Sequence, residues 1–344
     1  MKKSTVLAID LAKTTLQLGK FEHDGKMVYN RALSRQQLKE RLIKEPSAVV
    51  AMEACGGAHY WARFAQSCGH QVKLMNARSV KAFRTGQKTD RNDTLAIAIA
   101  AGQPTVRAVP VLSTEAQAAQ SLDRARRLAD NQCVSLSNQI RGLLSEFGIV
   151  FPQGYVALRR RIYGVLEDGE NGLPATFREL VWSLWRMLER LRAHADELQR
   201  QLERRVTEIE SCRRLLALEG VGPVGPVGAF RLWLSLGDGS GFASGKNAAA
   251  CLGLTPKQHS SGGKERIGHI SHVSADQPLR STLYQGALAV IRHLKRRHPR
   301  TRKEQWLAAL VQRRGVKVAA IALANKTVRT AHALLSQNTT YQPQ

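Results

Sequence analysis

The sequence predicts an α/β domain followed by a mostly α-helical remainder, on three observations. Short apolar runs ending in carboxylates, at Asp10 and Glu53, alternate with helical stretches up to about residue 107. Residues 122–147 repeat apolar side chains every seven positions, and residues 184–202 alternate apolar spacings of four and three. Beyond about residue 211 glycine-rich turns separate alanine-rich helices. The expected division is therefore 1–107, 108–210, 211–336 and a disordered tail at 337–344.

Composition restricts function before any motif does. Lys and Arg number 52 against 27 acids, a formal charge of +25 over 344 residues, which calls for a polyanionic partner, most simply nucleic acid. The five cysteines are scattered, odd in number and never in a Cys-x-x-Cys pair, so reduced thiols and a cytoplasmic protein are expected. No apolar run approaches the length of a membrane span, and the first residues lack a signal-peptide core.

The opening stretch sets the first domain. Val6–Ile9 is an unbroken apolar segment suited to a strand buried on both faces, and it delivers Asp10 at its end. Three readings fit Asp10 alone: a metal ligand of a nuclease fold, the first phosphate loop of an actin- or hexokinase-like ATPase with Ala12 where Gly is expected, or a structural Asp closing a turn. Leu16–Phe21 and Lys26–Ala32 continue as strands, because Asp24-Gly25 is a hairpin turn signal. Ser34 caps a helix through Leu42, and Ala48–Met52 is a second buried strand, ending in Glu53. A helix (59–68), a strand (71–75) and an exposed basic connection (76–89) with Arg78, Lys81, Arg84 and Lys88 follow.

Asp90 and Asp93 open an alanine-rich helix and, three apart, share one face. They can simply complement the helix dipole. In order with Asp10 and Glu53, however, they complete four carboxylates on elements that can converge, as a two-metal phosphoryl-transfer site requires. The ATPase reading needs further glycine-rich phosphate loops, and Gly56-Gly57 is the only paired glycine in this domain.

Ile9-Asp10-x-Ala12-Lys13, the run from Met52-Glu53 through Ala-Cys-Gly-Gly-Ala-His-Tyr-Trp to Ala62, Gly69-His-x-Val72, Lys88-x-Asp90-x-x-Asp93 and Glu146-Phe-Gly-Ile149 together resemble the DEDD-type transposases of the insertion-sequence one-ten family. That family is related to the Piv-type DNA invertases. The resemblance implies an N-terminal ribonuclease H-like domain of the RuvC resolvase type and a C-terminal serine transposase domain. It carries Asp10, Glu53, Asp90 and Asp93 across as an acidic tetrad for Mg²⁺. Thr94 departs from the pattern, which more often has Ala after the last Asp, and is expected as a change tolerated at the surface.

The middle of the chain is expected to be helical. Leu122, Ala129, Leu136 and Leu143, interleaved with Cys133, Ile140 and Phe147, form about three heptads of a coiled-coil or bundle seam. Residues 148–172 are expected as a mixed connector, before a second helix over 175–209 with its apolar series at Leu184, Leu188, Leu191, Ala195, Leu198 and Leu202. An antiparallel pair packed within one chain and a dimerisation arm both fit, and a homodimer or tetramer is expected because a recombinase must hold several DNA ends.

In the last domain, Leu215–Gly225 resembles a helix-hairpin-helix element, with Gly220 and Gly222 able to bring backbone N–H groups to a phosphate; a glycine turn between packed helices is the alternative. Gly253–Gly268 is expected as a flexible exposed loop, in which Ser261 is chemically one hydroxyl among several. The resemblance singles it out. Gly-Leu-Thr-Pro followed by Ser-Gly matches the family's C-terminal motif, and Ser261, or its neighbour Ser260, falls on the serine that attacks DNA, with Lys264 and Arg266 nearby. His259, His269 and His272 are unevenly spaced without a Cys partner and do not make a zinc site. Seven cations between Arg292 and Lys303, including Lys295, Arg296 and Arg297, read as a backbone-phosphate track before a last helix over 317–335.

The expected function is a site-specific recombinase or transposase that cleaves and rejoins donor and target DNA through phosphoserine, in the bacterial cytoplasm. The resemblance further implies a noncoding bridge RNA, encoded by the same element, as guide. A metal-dependent junction resolvase or nuclease using water, and a non-catalytic nucleic-acid scaffold, are the competing readings.

Overall fold

The computed structural model describes residues 4–221, 225–271 and 276–342, so Gly222 and His272 lie outside the described residues. Two compact units form: residues up to 116 with 237–243, and 117–236 with 244 onward. Among the described residues no helix is long and apolar enough to cross a membrane.

The first unit is built on a six-stranded sheet. β1 (Val6–Asp10) is central; β2 (Thr15–Phe21) and β3 (Met27–Ser34) continue from it as an antiparallel meander. On its other side β4 (Val49–Glu53) and β5 (Gln71–Met75) pair parallel, and a short β6 (Ala108–Val109) closes the edge, giving the order β3-β2-β1-β4-β5-β6. Helix α1 (Arg35–Lys44) starts at a capping box in which Ser34 and Gln37 bond each other's backbone N–H. Helices α2 (Ala58–Ser67) and α4 (Asp90–Gly102) follow the expected positions, and a short α3 (Ala77–Lys81) occupies part of the expected basic connection, anchored by buried Val80.

The two central strands carry large side chains on one face and alanine on the other. Leu7, Ile9, Val50 and Met52 join α1 and α2 through Leu38, Leu42 and Trp61 in one core. Ala8 and Ala51 turn the opposite way, into a core with Ala96, Ile97 and Ala100 of α4. Small side chains on both surfaces let α4 lie close to the sheet, which fixes where its N-terminus ends up.

Among the described residues the second unit is helical except for one hairpin. It contains α5 (Thr114–Ser145), α6 (Tyr155–Glu167), α7 (Ala175–Glu208), α8 (Glu210–Leu216), α9 (Pro226–Leu236), α10 (Gly245–Cys251), β7 (Pro256–Ser261), β8 (Lys264–Ile270), α11 (Gln277–Leu294) and α12 (Arg302–Ser336). α5 and α7 pack within one chain around Ala129, Cys133, Ile140, Val181, Trp185 and Leu188. Phe147 just past the end of α5 meets Phe177 at the start of α7, ring centroids 4.1 Å apart, so the pair is antiparallel.

The structure refines several expectations. The fully buried stripe of α5 runs through Ala129, Cys133, Ser137, Ile140 and Leu144, with the expected Leu122 and Leu136 half-buried against the same core, because the helix packs against α6 as well as α7 and its seam follows the 3.6-residue period. The expected connector holds α6, whose Leu158 and Ile162 are fully buried in the same core. Arg302, expected as part of the phosphate track, opens a helix that breaks at Gly315, where φ is 79° and ψ 166°, and the segment beyond the break to Ser336 is the expected last helix. Within the expected disordered tail, the Tyr341 hydroxyl lies 2.7 Å from the Glu219 carboxylate, which also accepts from Lys303 at 2.5 Å.

The expected boundary near 210 does not separate units, and a buried ion pair is one reason. Arg231 of α9 donates to both carboxylate oxygens of Asp123 on α5, each at 3.0 Å, and its remaining nitrogen donates to Thr282 on α11 at 2.7 Å. Arg126 adds a third charged contact to Asp123 at 3.2 Å. Removing one partner of a buried pair leaves an uncompensated charge, so Asp123→Ala is expected to lose about 3–5 kcal/mol in urea denaturation. Arg205→Ala, whose ion pair with Glu208 lies in solvent, should leave the midpoint almost unchanged. Equal effects of the two substitutions would contradict the latch.

Candidate active site and nucleic-acid contacts

Strand register delivers the first two acids. β1 and β4 run parallel with Ala8 opposite Ala51 and Ile9 opposite Met52, so Asp10 and Glu53, the next residues, leave neighbouring strands at one level. Alternation puts both on the alanine face, the face that α4 covers. Parallel neighbours lie roughly 4.8 Å apart, close enough for both carboxylates to approach one cation.

Helix α4 brings the other two. Thr89 caps it by accepting from the Asn92 N–H at 3.3 Å, which places Asp90 and Asp93 in the first turn. Burial, then the charges of Asp93 and Asp90, push Asp10 above the ordinary carboxylate value. Burial, then Asp10 and Asp93, do the same to Glu53. The four acids thus share an electrostatic site, and none serves as the helix cap. Arg84, 3.4 Å from Asp93, and Lys88 offset part of the repulsion at Glu53. Burial and the same acids push the Cys55 thiol up, which leaves it a poor nucleophile.

The donor set is oxygen only, the chemistry a hard divalent cation such as Mg²⁺ prefers. The side chains are not drawn into a closed cage: among the described residues no group of three or more His, Cys, Asp or Glu is placed to hold a metal ion. The four acids therefore fit Mg²⁺ by the chemistry of their oxygens and their place at one end of the sheet, while their side chains do not converge on a single point.

A polar link absent from the expectations ties this helix to the sheet. Asn30 on β3 donates to the Thr94 hydroxyl at 2.6 Å, Thr94 lies within reach of the Asp90 and Arg91 carbonyls, and Gln17 donates to the Asn30 carbonyl oxygen. Thr94 is fully buried, which corrects its reading as a surface-tolerant change. A link spanning 64 residues leaves no mark on local periodicity.

The serine lies in the other unit. Gly253–Gly268 is not a flexible loop over its length: Gln258 pairs Ile267, His259 pairs Arg266, Ser260 pairs Glu265 and Ser261 pairs Lys264 in an antiparallel hairpin. Gly262 and Gly263, at φ 55° and 75°, supply the left-handed residues of a two-residue turn. Ser261, Lys264 and Arg266 are exposed around its tip.

Of the expected nucleic-acid contacts, Arg292, Lys295 and Arg296 are exposed at and after the end of α11. Arg297 is instead half-buried and paired in a fork with Glu304. Gly220 is buried: a Cβ there would lie 3.4 Å from the Ala287 backbone nitrogen, so its glycine serves close packing on α11 and a φ of 82°. The turn alternative describes Gly220 better than a phosphate contact.

A carboxyl group whose pKa is higher folded than unfolded costs nothing below its unfolded value and destabilises the fold as pH rises through its folded value. For Asp10 and Glu53 that window opens at 3.8 and 4.5 and extends upward. In chelator at neutral pH, Asp10→Asn should therefore melt above the parent, a difference that shrinks on acidification towards about pH 4. Mg²⁺ should raise the parent's melting temperature and raise that of Asp10→Asn far less. A parent indifferent to Mg²⁺ would count against a shared cation site.

Comparison with known proteins gives the family. Residues 2–149 match the DEDD family model described as a transposase, and residues 212–304 match the model of the transposase IS116/IS110/IS902 family. The chain is similar to a "Probable family 20 transposase" of Pseudomonas aeruginosa, 40% identical over 338 residues and covering 98% of both chains. It is also 33% identical to the transposase for insertion sequence element IS1111A of Coxiella burnetii, over 99% of this chain and 92% of that one. The same identity holds for the transposase for insertion sequence element IS1328 of Yersinia enterocolitica, over 99% of each. With an N-terminal DEDD domain of the ribonuclease H-like type and relatives matched along nearly its whole length, the chain belongs to the IS116/IS110/IS902 family of transposases.

Proposed function

We propose that the protein cleaves and rejoins donor and target DNA through a transient phosphoserine bond at Ser261, with Asp10, Glu53, Asp90 and Asp93 as the Mg²⁺-binding tetrad. The observation that carries this reading is the presentation of Ser261 at the tip of an antiparallel hairpin, beside Lys264 and Arg266. An enzyme using only water would have no task for that serine.

In the proposed reaction the Ser261 oxygen bonds to phosphorus while the bond from phosphorus to a deoxyribose oxygen breaks. The serine proton ends on that departing oxygen. Attack by a second strand's hydroxyl reverses both changes and returns a proton to Ser261, so the ester conserves the bond energy and no ATP is consumed. Lys264 and Arg266 neutralise charge that builds on the phosphate. Mg²⁺ bound by the tetrad would lower the hydroxyl's pKa and offset the same charge. Successive strand residues point to opposite faces, so Ser260 and Ser261 do not present their hydroxyls to the same phosphate.

The DEDD tetrad by itself also fits a nuclease that hydrolyses DNA with water, the second reading. Guidance by a noncoding bridge RNA and assembly as a dimer or tetramer complete the proposal. The charge of +25 supports a second polyanion, and exposed Leu128, Val134, Leu180 and Met187 on the helical arm support contact between copies.

A suicide substrate, nicked so that the cleaved end diffuses away, should trap the wild-type protein on DNA, with the adduct mapping to Ser261. Ser261→Ala should give no adduct, and Ser260→Ala should retain it. Cleavage that never yields an adduct, or that survives Ser261→Ala, would establish the hydrolytic reading instead.

A further inference from the structure

A groove of about 1710 Å³ lies in the second unit where the base of the β7–β8 hairpin, α10 and α12 meet. It exceeds the roughly 300–1,000 Å³ of a small-molecule site, so it suits a polymer. Its rim carries Lys246, Arg314, Lys317, Lys326 and Arg329, and among the described residues no acid lines it. All five are exposed, and among the described residues none makes an ion pair. Five like charges around one groove repel each other, a cost that an anionic partner removes.

The rest of the lining says which anion. Ile267, 71% exposed, and Val318, 47% exposed, line the groove with Leu254, Pro256 and Ile321. Trp306 also lines it, half-buried, with the Lys326 ammonium 4.6 Å from its ring centroid. A duplex presents phosphates and sugars outward and buries its base faces, so it has nothing to set against apolar side chains and an indole. An unpaired strand presents both phosphates and bases, and the pairing of a basic rim with an aromatic platform is how such strands are held.

The groove's position selects DNA. Ile267 pairs with Gln258, three residues before Ser261, so the lining begins roughly 10 Å from the serine along the strand. The geometry points to this groove as the binding site for a single DNA strand leading to or from the phosphate attacked by Ser261, with bases against Trp306 and the apolar floor and phosphates on the five cations. The inference deepens the proposed function and rests on it for the identity of the strand as DNA.

The test uses the full chain carrying Ser261→Ala, so that binding is read without chemistry, and a fluorescent single-stranded 12-mer deoxyoligonucleotide in equilibrium anisotropy titrations over a salt series. Lys317→Ala, Lys326→Ala and Arg329→Ala combined should weaken binding at least tenfold and flatten the log–log salt slope by about 2, since each single-strand phosphate contact contributes about 0.7. Trp306→Leu should weaken it about tenfold with the slope unchanged. Unchanged affinity in both proteins would overturn the inference, and so would losses confined to an RNA 12-mer of the same sequence. Because Trp306 also touches the core, the triple variant, confined to exposed side chains, decides if Trp306→Leu fails to fold. The suicide-substrate adduct separates the two claims: an adduct with groove variants that bind normally sinks only the groove, and no adduct with weakened variants sinks only the phosphoserine.

Discussion

The pairing of β1 with β4 is the constraint on which the acidic site depends. Ala8 opposite Ala51 puts two small side chains side by side on one face, and a step of two residues along each strand delivers Asp10 and Glu53 to that same face. A one-residue slip of either strand would send its acid to the opposite face and bring bulky residues under α4. The same alanines that admit α4 therefore also set the level at which Asp90 and Asp93 arrive. Packing and chemistry are fixed by a single register.

Burial first, and then repulsion from neighbouring carboxylates, raises the pKa values of Asp10 and Glu53. Such repulsion is tolerated because the fold around it is secured elsewhere: by the large-residue core on the other sheet face and by the Asn30–Thr94 link at the start of α4. The second unit follows the same logic with different parts. Its buried Asp123–Arg231 pair joins the helical arm to α9 and α11, while its cations are left uncompensated at the groove on α12. The unbalanced charge of both sites is left exposed or half-exposed, whereas the Asp123–Arg231 pair is buried.

Much of the first unit was legible because strands, turns and caps are local signals. Asp24-Gly25, the Ser34 cap and the strand-ending acids each announce themselves within a few residues, whereas the parallel pairing of β1, β4 and β5 is set by non-local packing. What escaped was non-local or depended on a few dihedrals. Thr94 looked tolerant because its partner Asn30 is distant in sequence. The Ser261 segment looked like a loop because serines and glycines suggest flexibility, whereas Gly262-Gly263 makes a tight turn between two strands. Gly220 looked phosphate-facing because a close approach to α11 and a close approach to a phosphate ask for the same residue. Residues 148–172 looked like a connector because their glycines masked the buried pair Leu158 and Ile162.

The family assignment makes the protein a transposase. In the proposed reaction the first unit supplies the carboxylates and the second the serine. The account's central claim is that the carboxylates serve that serine rather than a hydrolytic water. Covalent capture of DNA by Asp93→Asn in Mg²⁺, scored alongside its equilibrium DNA binding, tests this most directly. The account predicts binding close to that of the parent with capture at Ser261 reduced at least a hundredfold. Capture at the parent's rate would contradict it.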